Sequence, residues 1–99
     1  MTSVASGTRL VFRVHAVRRM FERRISPEDV RHVVEHGQPI EEYPDATPCP
    51  SRLILGWRGG HPLHVVAADD ARAGETMIVT VYEPDPARWE DGFTRRKAT

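Results

Sequence analysis

The sequence predicts an α+β fold in which two N-terminal helices pack on a three- to four-stranded antiparallel sheet, followed by a short C-terminal helix. Two observations predict this order. Apolar residues recur at helical spacing over residues 15–36, whereas apolar and polar residues alternate from residue 38 onward. Because 99 residues form one modest core, we expect a single domain over residues 9–96, preceded by a disordered terminus over residues 1–8.

The first predicted helix lies in the segment HAVRRMFERRIS, residues 15–26. Residues three or four apart share one face of a helix, so we expect Val17, Met20 and Phe21 to pack on the core. The opposite face carries one imidazole and two guanidinium groups, from His15, Arg19 and Arg23. This combination suits a phosphate-bearing ligand, and the alternative interpretation is a solvated face with no ligand.

The second predicted helix has clear start and end signals. Ser26 is a favourable N-cap residue, Pro27 suits the first helical position, and Gly37 should end the helix in the left-handed conformation. His32 and His36 lie four apart, as metal ligands sometimes do. No cysteine or clustered carboxylate completes a site, so we expect exposed histidines and neither a metal nor another cofactor.

The remainder of the chain predicts an antiparallel meander. Strand-like segments occur at residues 10–14, 40–43, 52–58, 63–68 and 76–82. Gly59 and Gly60 predict a hairpin turn between two of them. Trp89 and Phe93, four apart after a proline-rich break, predict a short C-terminal helix that docks on the sheet.

Strand alternation predicts which residues face the helices. That face should carry Leu53, Leu55, Trp57, Leu63, Val65, Ala67, Met77, Val79 and Val81. The other face should carry Arg52, Ile54, Arg58, His64, Val66, Ile78, Thr80 and Tyr82. The second set mixes arginine, histidine and a phenol with apolar residues, so it contains the candidate chemistry of the sheet.

Charge and cysteine content narrow the classes of function. Lysine plus arginine equals aspartate plus glutamate at 14 each, so there is no general attraction toward nucleic acid. Basic residues gather at 13–24 and 95–97, which permits a local anionic-ligand site. The single cysteine, Cys49, excludes an internal disulfide and a cysteine zinc site. With no secretion signal or membrane-length apolar stretch, we expect a cytoplasmic protein without a membrane partner.

The candidate catalytic groups are those that a metal-free ribonuclease needs. A base removes the 2′-hydroxyl proton, an acid protonates the leaving oxygen, and cations stabilise the phosphate. His64 and His15 are the candidate acid–base groups, and Tyr82 is a candidate for positioning the substrate. The candidate phosphate-binding residues are Arg19, Arg23, Arg52 and Arg58. Each has a structural alternative, such as a buried strand histidine or a sheet-packing tyrosine.

Several ordered blocks resemble one bacterial family. They read HAVRRMFERRIS, SPEDVRHVVEHG, EEYPD, PSRLILGW, PLHVVAA and IVTVYEPDPARWE. Together they resemble the family called domain of unknown function 4258 over about residues 13–96. Arg24 stands where that family usually has glycine, so the first helix is expected to end differently here or to run on toward Ser26.

The resemblance implies a fold similar to the RelE and BrnT toxins, which cleave RNA and are neutralised by an antitoxin. It implies roles for His15, Arg19, Arg23, His64 and Tyr82. The functional hypothesis is therefore the toxin of a type II toxin–antitoxin pair, a metal-independent endoribonuclease whose partners are RNA and a cognate antitoxin of zinc-finger type. The alternatives are a non-catalytic binding module for a protein partner or an anionic ligand, and a structural interaction protein.

Overall fold

Five strands form one mixed sheet, and two helices cover one of its faces. The computed structural model describes residues 8–98. In chain order the elements are β1 (Arg9–Phe12), α1 (Val14–Arg23), α2 (Pro27–His36), β2 (Gln38–Tyr43), β3 (Ser51–Arg58), β4 (His61–Asp70) and β5 (Glu75–Tyr82). The disorder expected for residues 1–8 lies outside the described residues except at Thr8, whose carbonyl oxygen accepts a hydrogen bond from the Arg31 guanidinium at 2.7 Å.

The sheet differs from the predicted antiparallel sheet of three to four strands. Its order is β1-β5-β4-β3-β2, and β1 pairs in parallel with β5 while the other neighbours are antiparallel. The prediction was wrong because alternation marks a strand but does not identify its partner. Arg9 pairs with Glu75, and a pairing so distant in sequence has no local signal.

The predicted C-terminal helix is absent from the described part of the chain. The Asp85 carbonyl oxygen accepts hydrogen bonds from the N–H groups of Arg88 and Trp89, which completes one turn. Gly92 and Phe93 then adopt positive φ angles of 88° and 61°, a conformation that a right-handed helix does not contain. The chain reverses there, and Trp89 pairs with Arg96 in an antiparallel bridge. We call residues 84–98 the C-terminal segment.

The main core lies between the helices and one face of the sheet. From α1 it receives only Ala16 and Met20. The other members of this core are Ile25, Val30, Val33, Val34, Ile54, Leu63, Val65, Ala67, Ile78 and Val81. The expectation that Val17 and Phe21 pack on the core is wrong, because both side chains are exposed.

The predicted sheet faces are correct for β4 but not for β3. Ile54 belongs to the helix-side core, whereas Leu53 and Leu55 are buried outside it on the other face. Alternation cannot distinguish two apolar faces, and the C-terminal segment covers the second one: Trp57 contacts Phe93 edge to face, with ring centroids 6.1 Å apart.

A β-bulge changes the predicted faces of β5. Val66 pairs with Thr80 and Ala67 with Ile78, so Val79 is the extra residue on β5. Ile78 and Val81, three positions apart, therefore both reach the helix-side core. Strict alternation would have put them on opposite faces.

The predicted start of α2 is confirmed. The Ser26 hydroxyl accepts the Asp29 N–H at 3.0 Å, and the Asp29 carboxylate accepts the Ser26 N–H at 3.0 Å. The prediction for Gly37 is wrong, because its φ is −75° and its backbone is extended. A Cβ at Gly37 would lie 2.5 Å from the Val33 carbonyl oxygen. Glycine is needed for this close approach of backbone rather than for a left-handed turn.

Helix α1 ends at Arg24 in the left-handed region, with φ 56° and ψ 43°. A residue with a Cβ is strained there, and glycine is not. We expect Arg24→Gly to raise the free energy of unfolding by about 1 kcal/mol, because the exposed side chain contributes little packing. Urea denaturation measures this. The control, Arg19→Gly within α1, should lower the free energy of unfolding by about 1 kcal/mol. A similar decrease in Arg24→Gly would contradict the argument.

Candidate functional site

The candidate site residues lie on opposite sides of the sheet. Leu63 and Val65 point into the helix-side core, so His64 between them points to the other face. His15, Arg19 and Arg23 are exposed on α1, which packs on the helix side. The sheet therefore separates the two groups. They do not converge on a position where one phosphate would contact both.

His64 is fully buried and engaged through both ring nitrogens. Its exposed fraction is 0%, its Nε2 lies 2.9 Å from the Phe93 carbonyl oxygen, and its Nδ1 lies 3.2 Å from the Tyr82 hydroxyl. Because a carbonyl oxygen only accepts, Nε2 carries the proton and Nδ1 accepts the hydroxyl proton of Tyr82. The Tyr82 hydroxyl, the imidazole and the Phe93 carbonyl thus form one continuous chain of hydrogen bonds.

Burial keeps both members of this pair neutral. Loss of solvation lowers the pKa of His64, and the hydrogen bond to the Phe93 carbonyl opposes that shift. Burial also raises the pKa of Tyr82. A phenol with a raised pKa does not release its proton to an imidazole with a lowered pKa. The arrangement holds a neutral hydrogen bond and ties β4, β5 and the C-terminal segment together.

A second layer of side chains surrounds His64. The Trp89 ring meets the imidazole edge to face, with centroids 4.5 Å apart, and the Arg96 guanidinium carbon lies 4.7 Å from the centroid of the Trp89 ring. Arg96 Nε lies 3.5 Å from Glu41 Oε2, and the other oxygen of that carboxylate, Oε1, accepts a hydrogen bond from the Tyr43 hydroxyl. Burial, followed by this hydrogen bond, raises the pKa of Tyr43 to about 12.

Sequence reasoning missed this second layer. Glu41 and Tyr43 lie in the EEYPD block, but nothing in that block indicates a contact with the C-terminal segment. Trp89 was expected to dock a helix, and Arg96 was singled out only as a member of the basic cluster at residues 95–97. Spacing along the chain does not show that a hairpin folds back over β4.

The buried imidazole makes stability depend on pH. Unfolding exposes His64, so its pKa rises toward the ordinary value of 6.5, and the unfolded chain takes up the proton first as the pH falls. We expect the free energy of unfolding to fall between about pH 7.5 and pH 5.5. Urea denaturation at both pH values measures this, and His64→Gln is the control that lacks the titrating group. Equal pH dependence in the two proteins would contradict the assignment.

Arg52 is used within the fold. Its side chain is buried and pairs with Asp69. The Asp69 carboxylate also accepts the Thr76 hydroxyl at 2.8 Å. This network links β3, β4 and β5, so the Arg52 guanidinium is not presented to a phosphate.

Arg58 also contacts residues of the protein itself. It donates to the Arg24 carbonyl oxygen at 2.7 Å, and its guanidinium nitrogens lie 3.5 Å from an Asp29 oxygen and 3.4 Å from a Glu83 oxygen. These contacts join the end of α1, the start of α2 and the end of β5. Arg58 therefore fastens the helix pair to the sheet.

Helix α1 presents two different surfaces to solvent. One is the expected charged line of His15, Arg19 and Arg23. A guanidinium nitrogen of Arg19 lies 3.8 Å from a carboxylate oxygen of the neighbouring Glu22. The other is apolar: Val14, Val17 and Phe21 are 75%, 51% and 87% exposed, although Val17 and Phe21 were expected to pack on the core. These three residues occupy positions i, i+3 and i+7 of one helix, so they form a continuous ridge. We call them the α1 apolar stripe.

His32 and His36 adjoin one another on α2, with ring centroids 5.0 Å apart. Among residues 8–98, no group of three or more histidine, cysteine, aspartate or glutamate side chains is placed to hold a metal ion. Over the same residues, no helix is both long enough and apolar enough to span a membrane.

Comparison with known proteins identifies a family. The family described as Domain of unknown function (DUF4258) matches residues 12–83, which include α1, His64 and Tyr82 and stop before the C-terminal segment. No curated protein and no solved structure matches the chain. The match covers well over half of the chain, and the protein belongs to the DUF4258 family.

Proposed function

We propose that this domain is a non-catalytic binding module that holds a protein partner on α1. The observation that carries the proposal is the exposure of the α1 apolar stripe. Phe21 alone is 87% exposed, and it lies in a row with Val14 and Val17 rather than as an isolated surface residue. Contiguous apolar side chains on a soluble domain are typical of an interaction surface.

A protein partner explains this surface better than a small anionic ligand does. Guanidinium groups grip an anion through charge and hydrogen bonds, for which Val14, Val17 and Phe21 offer nothing. Aromatic residues, including phenylalanine, and arginine are instead enriched at protein–protein interfaces relative to the rest of the surface. Arg18 lines the same groove as the α1 apolar stripe.

RNA cleavage is the second candidate function, and it corresponds to the resemblance to RelE and BrnT toxins. The observation that favours it is the hydrogen bond between His64 and Tyr82, two residues with acid–base chemistry on one face of the sheet. The partner on α1 would then be the cognate antitoxin. This candidate requires movement of the C-terminal segment, because His64 is fully buried beneath it.

Incubation of RNA with the purified protein separates the two candidates. The binding module predicts intact RNA with the wild type and with Tyr82→Phe. The nuclease predicts fragments with the wild type and intact RNA with Tyr82→Phe, a variant that keeps the aromatic ring.

Photo-cross-linking in the source cells tests the binding module directly. A benzophenone amino acid in place of Phe21 preserves an aromatic side chain at the stripe, and the same group in place of Arg72 labels the exposed β4–β5 turn as a control. We expect a discrete protein adduct from position 21 that Val17→Asp abolishes. Identical adducts from both positions, or no protein adduct from position 21, would contradict the proposal.

A further inference from the structure

The shape of the α1 apolar stripe indicates what kind of segment covers it. Val14, Val17 and Phe21 repeat with spacings of three and four residues, as in the seam of two packed helices. The backbone N–H and C=O groups of α1 are used within the helix, so an added β-strand finds no hydrogen-bond partners there. A second helix needs only side-chain contacts. The stripe therefore suits a helix with its own apolar ridge.

The charge around the stripe indicates the chemistry of that helix. From Arg13 to Arg24 the chain carries five arginines and one acidic residue, Glu22. Arg18 lines the groove itself, while Arg13 and Arg24 flank the two ends of α1. An acidic helix would place carboxylates beside these guanidinium groups, which favours encounter and fixes orientation.

A second copy of this chain is a poor occupant of the stripe. Antiparallel pairing of two α1 helices across Val17 would bring Arg18 of one copy beside Arg18 of the other. The flanking arginines would also approach each other, and like charges at an interface are unfavourable. The chain's own residues 1–7, MTSVASG, contain no acidic residue, so they lack the complementary charge.

A lipid surface fits less well than a protein helix. Only three apolar side chains form the stripe, whereas helices that lie in a membrane interface carry a broad apolar face. A narrow ridge is the shape that another helix accepts.

Building on the proposed function, we infer that the partner presents an acidic amphipathic helix whose apolar ridge packs against Val14, Val17 and Phe21. The carboxylates of that helix pair with Arg18 and with the arginines at the two ends of α1. Affinity for this helix then depends both on the α1 apolar stripe and on the arginines around it. Removal of Phe21 weakens binding at any salt concentration, whereas the contribution of Arg18 falls as salt rises.

Synthetic helical peptides test this inference on the full chain. The probes are peptides of about three heptads with a leucine ridge flanked by glutamate, and a matched peptide with lysine in place of glutamate. Amide chemical shifts of the labelled protein report where each binds. We expect the glutamate peptide to bind at α1 at least about ten-fold more tightly than the lysine peptide at low salt.

A charge reversal supplies the sharpest comparison. Arg18→Glu should weaken binding of the glutamate peptide and strengthen binding of the lysine peptide. Arg72→Glu makes the same charge change on a distant turn and should alter the affinity for neither peptide. Equal affinity for both peptides, or shifts that map away from α1, would overturn the inference. So would preferential binding to phosphatidylglycerol vesicles, or a dimer of the free protein in light scattering.

Cross-linking at position 21 and peptide binding together distinguish an acidic helix from any other protein partner. If position 21 cross-links to a protein but the cross-linked segment is neutral, basic or non-helical, the binding module stands and the acidic helix is wrong. If position 21 yields no protein adduct and neither peptide binds, both are wrong. An acidic, helix-forming segment in the adduct supports both.

Discussion

Replacing His64 by alanine is expected to lower the free energy of unfolding by about 3 kcal/mol or more. The imidazole is fully buried, and it packs edge to face with the Trp89 ring, with centroids 4.5 Å apart. Alanine leaves a cavity and also leaves the Tyr82 hydroxyl and the Phe93 carbonyl oxygen without their partner. Two losses therefore act together, one of packing and one of hydrogen bonding.

Urea denaturation followed by tryptophan fluorescence measures the effect of His64→Ala. Because Trp89 lies against the imidazole in the wild type, its emission should change when the region around residue 64 unfolds. Tyr82→Phe removes only the hydroxyl and should lower the free energy of unfolding by about 1 kcal/mol. A loss below that value in His64→Ala would mean that the imidazole does not hold the C-terminal segment in place.

Replacing Phe21 by alanine is expected to weaken binding of the partner helix about 30-fold, which corresponds to about 2 kcal/mol. The side chain is exposed in the free protein, so it makes its packing contacts only in the complex. Stability should change by less than about 0.5 kcal/mol. Isothermal titration calorimetry with the glutamate peptide measures the affinity, and urea denaturation measures the stability.

Trp57→Ala is the matched control for Phe21→Ala. Trp57 is also a large apolar residue with high exposure, 47%, but it contacts Phe93 on the opposite face of the sheet. Its removal should leave peptide affinity unchanged. If Trp57→Ala and Phe21→Ala weaken binding of the peptide equally, the peptide binds through non-specific hydrophobic contacts and α1 is not a specific surface.

Local signals predicted the positions of the helices and the main strands. The Ser26 cap, the proline at the first position of α2 and the Gly59–Gly60 turn all act through neighbouring residues, and the structure contains each of them. The parallel pairing of β1 with β5 and the reversal at Gly92 and Phe93 depend on distant contacts. Helical spacing of Trp89 and Phe93 therefore predicted a helix where the chain turns back.

The candidate site was predictable in part. Residue chemistry singled out His64 and Tyr82, and the structure brings them into contact. The phosphate-gripping role expected of α1 assumed that its charged line faces the same space as His64, but the sheet lies between them. The apolar stripe escaped prediction because Val17 and Phe21, together with Met20, form a plausible core face. Only packing shows that Ala16 and Met20 fill that place.

We propose that α1, rather than the buried pair of His64 and Tyr82, is the functional surface of this domain. The most direct test compares Phe21→Ala with His64→Gln in two measurements, affinity for the glutamate peptide and free energy of unfolding. We predict that Phe21→Ala loses affinity at unchanged stability, whereas His64→Gln loses stability at unchanged affinity. Loss of affinity in His64→Gln together with full affinity in Phe21→Ala would contradict the claim.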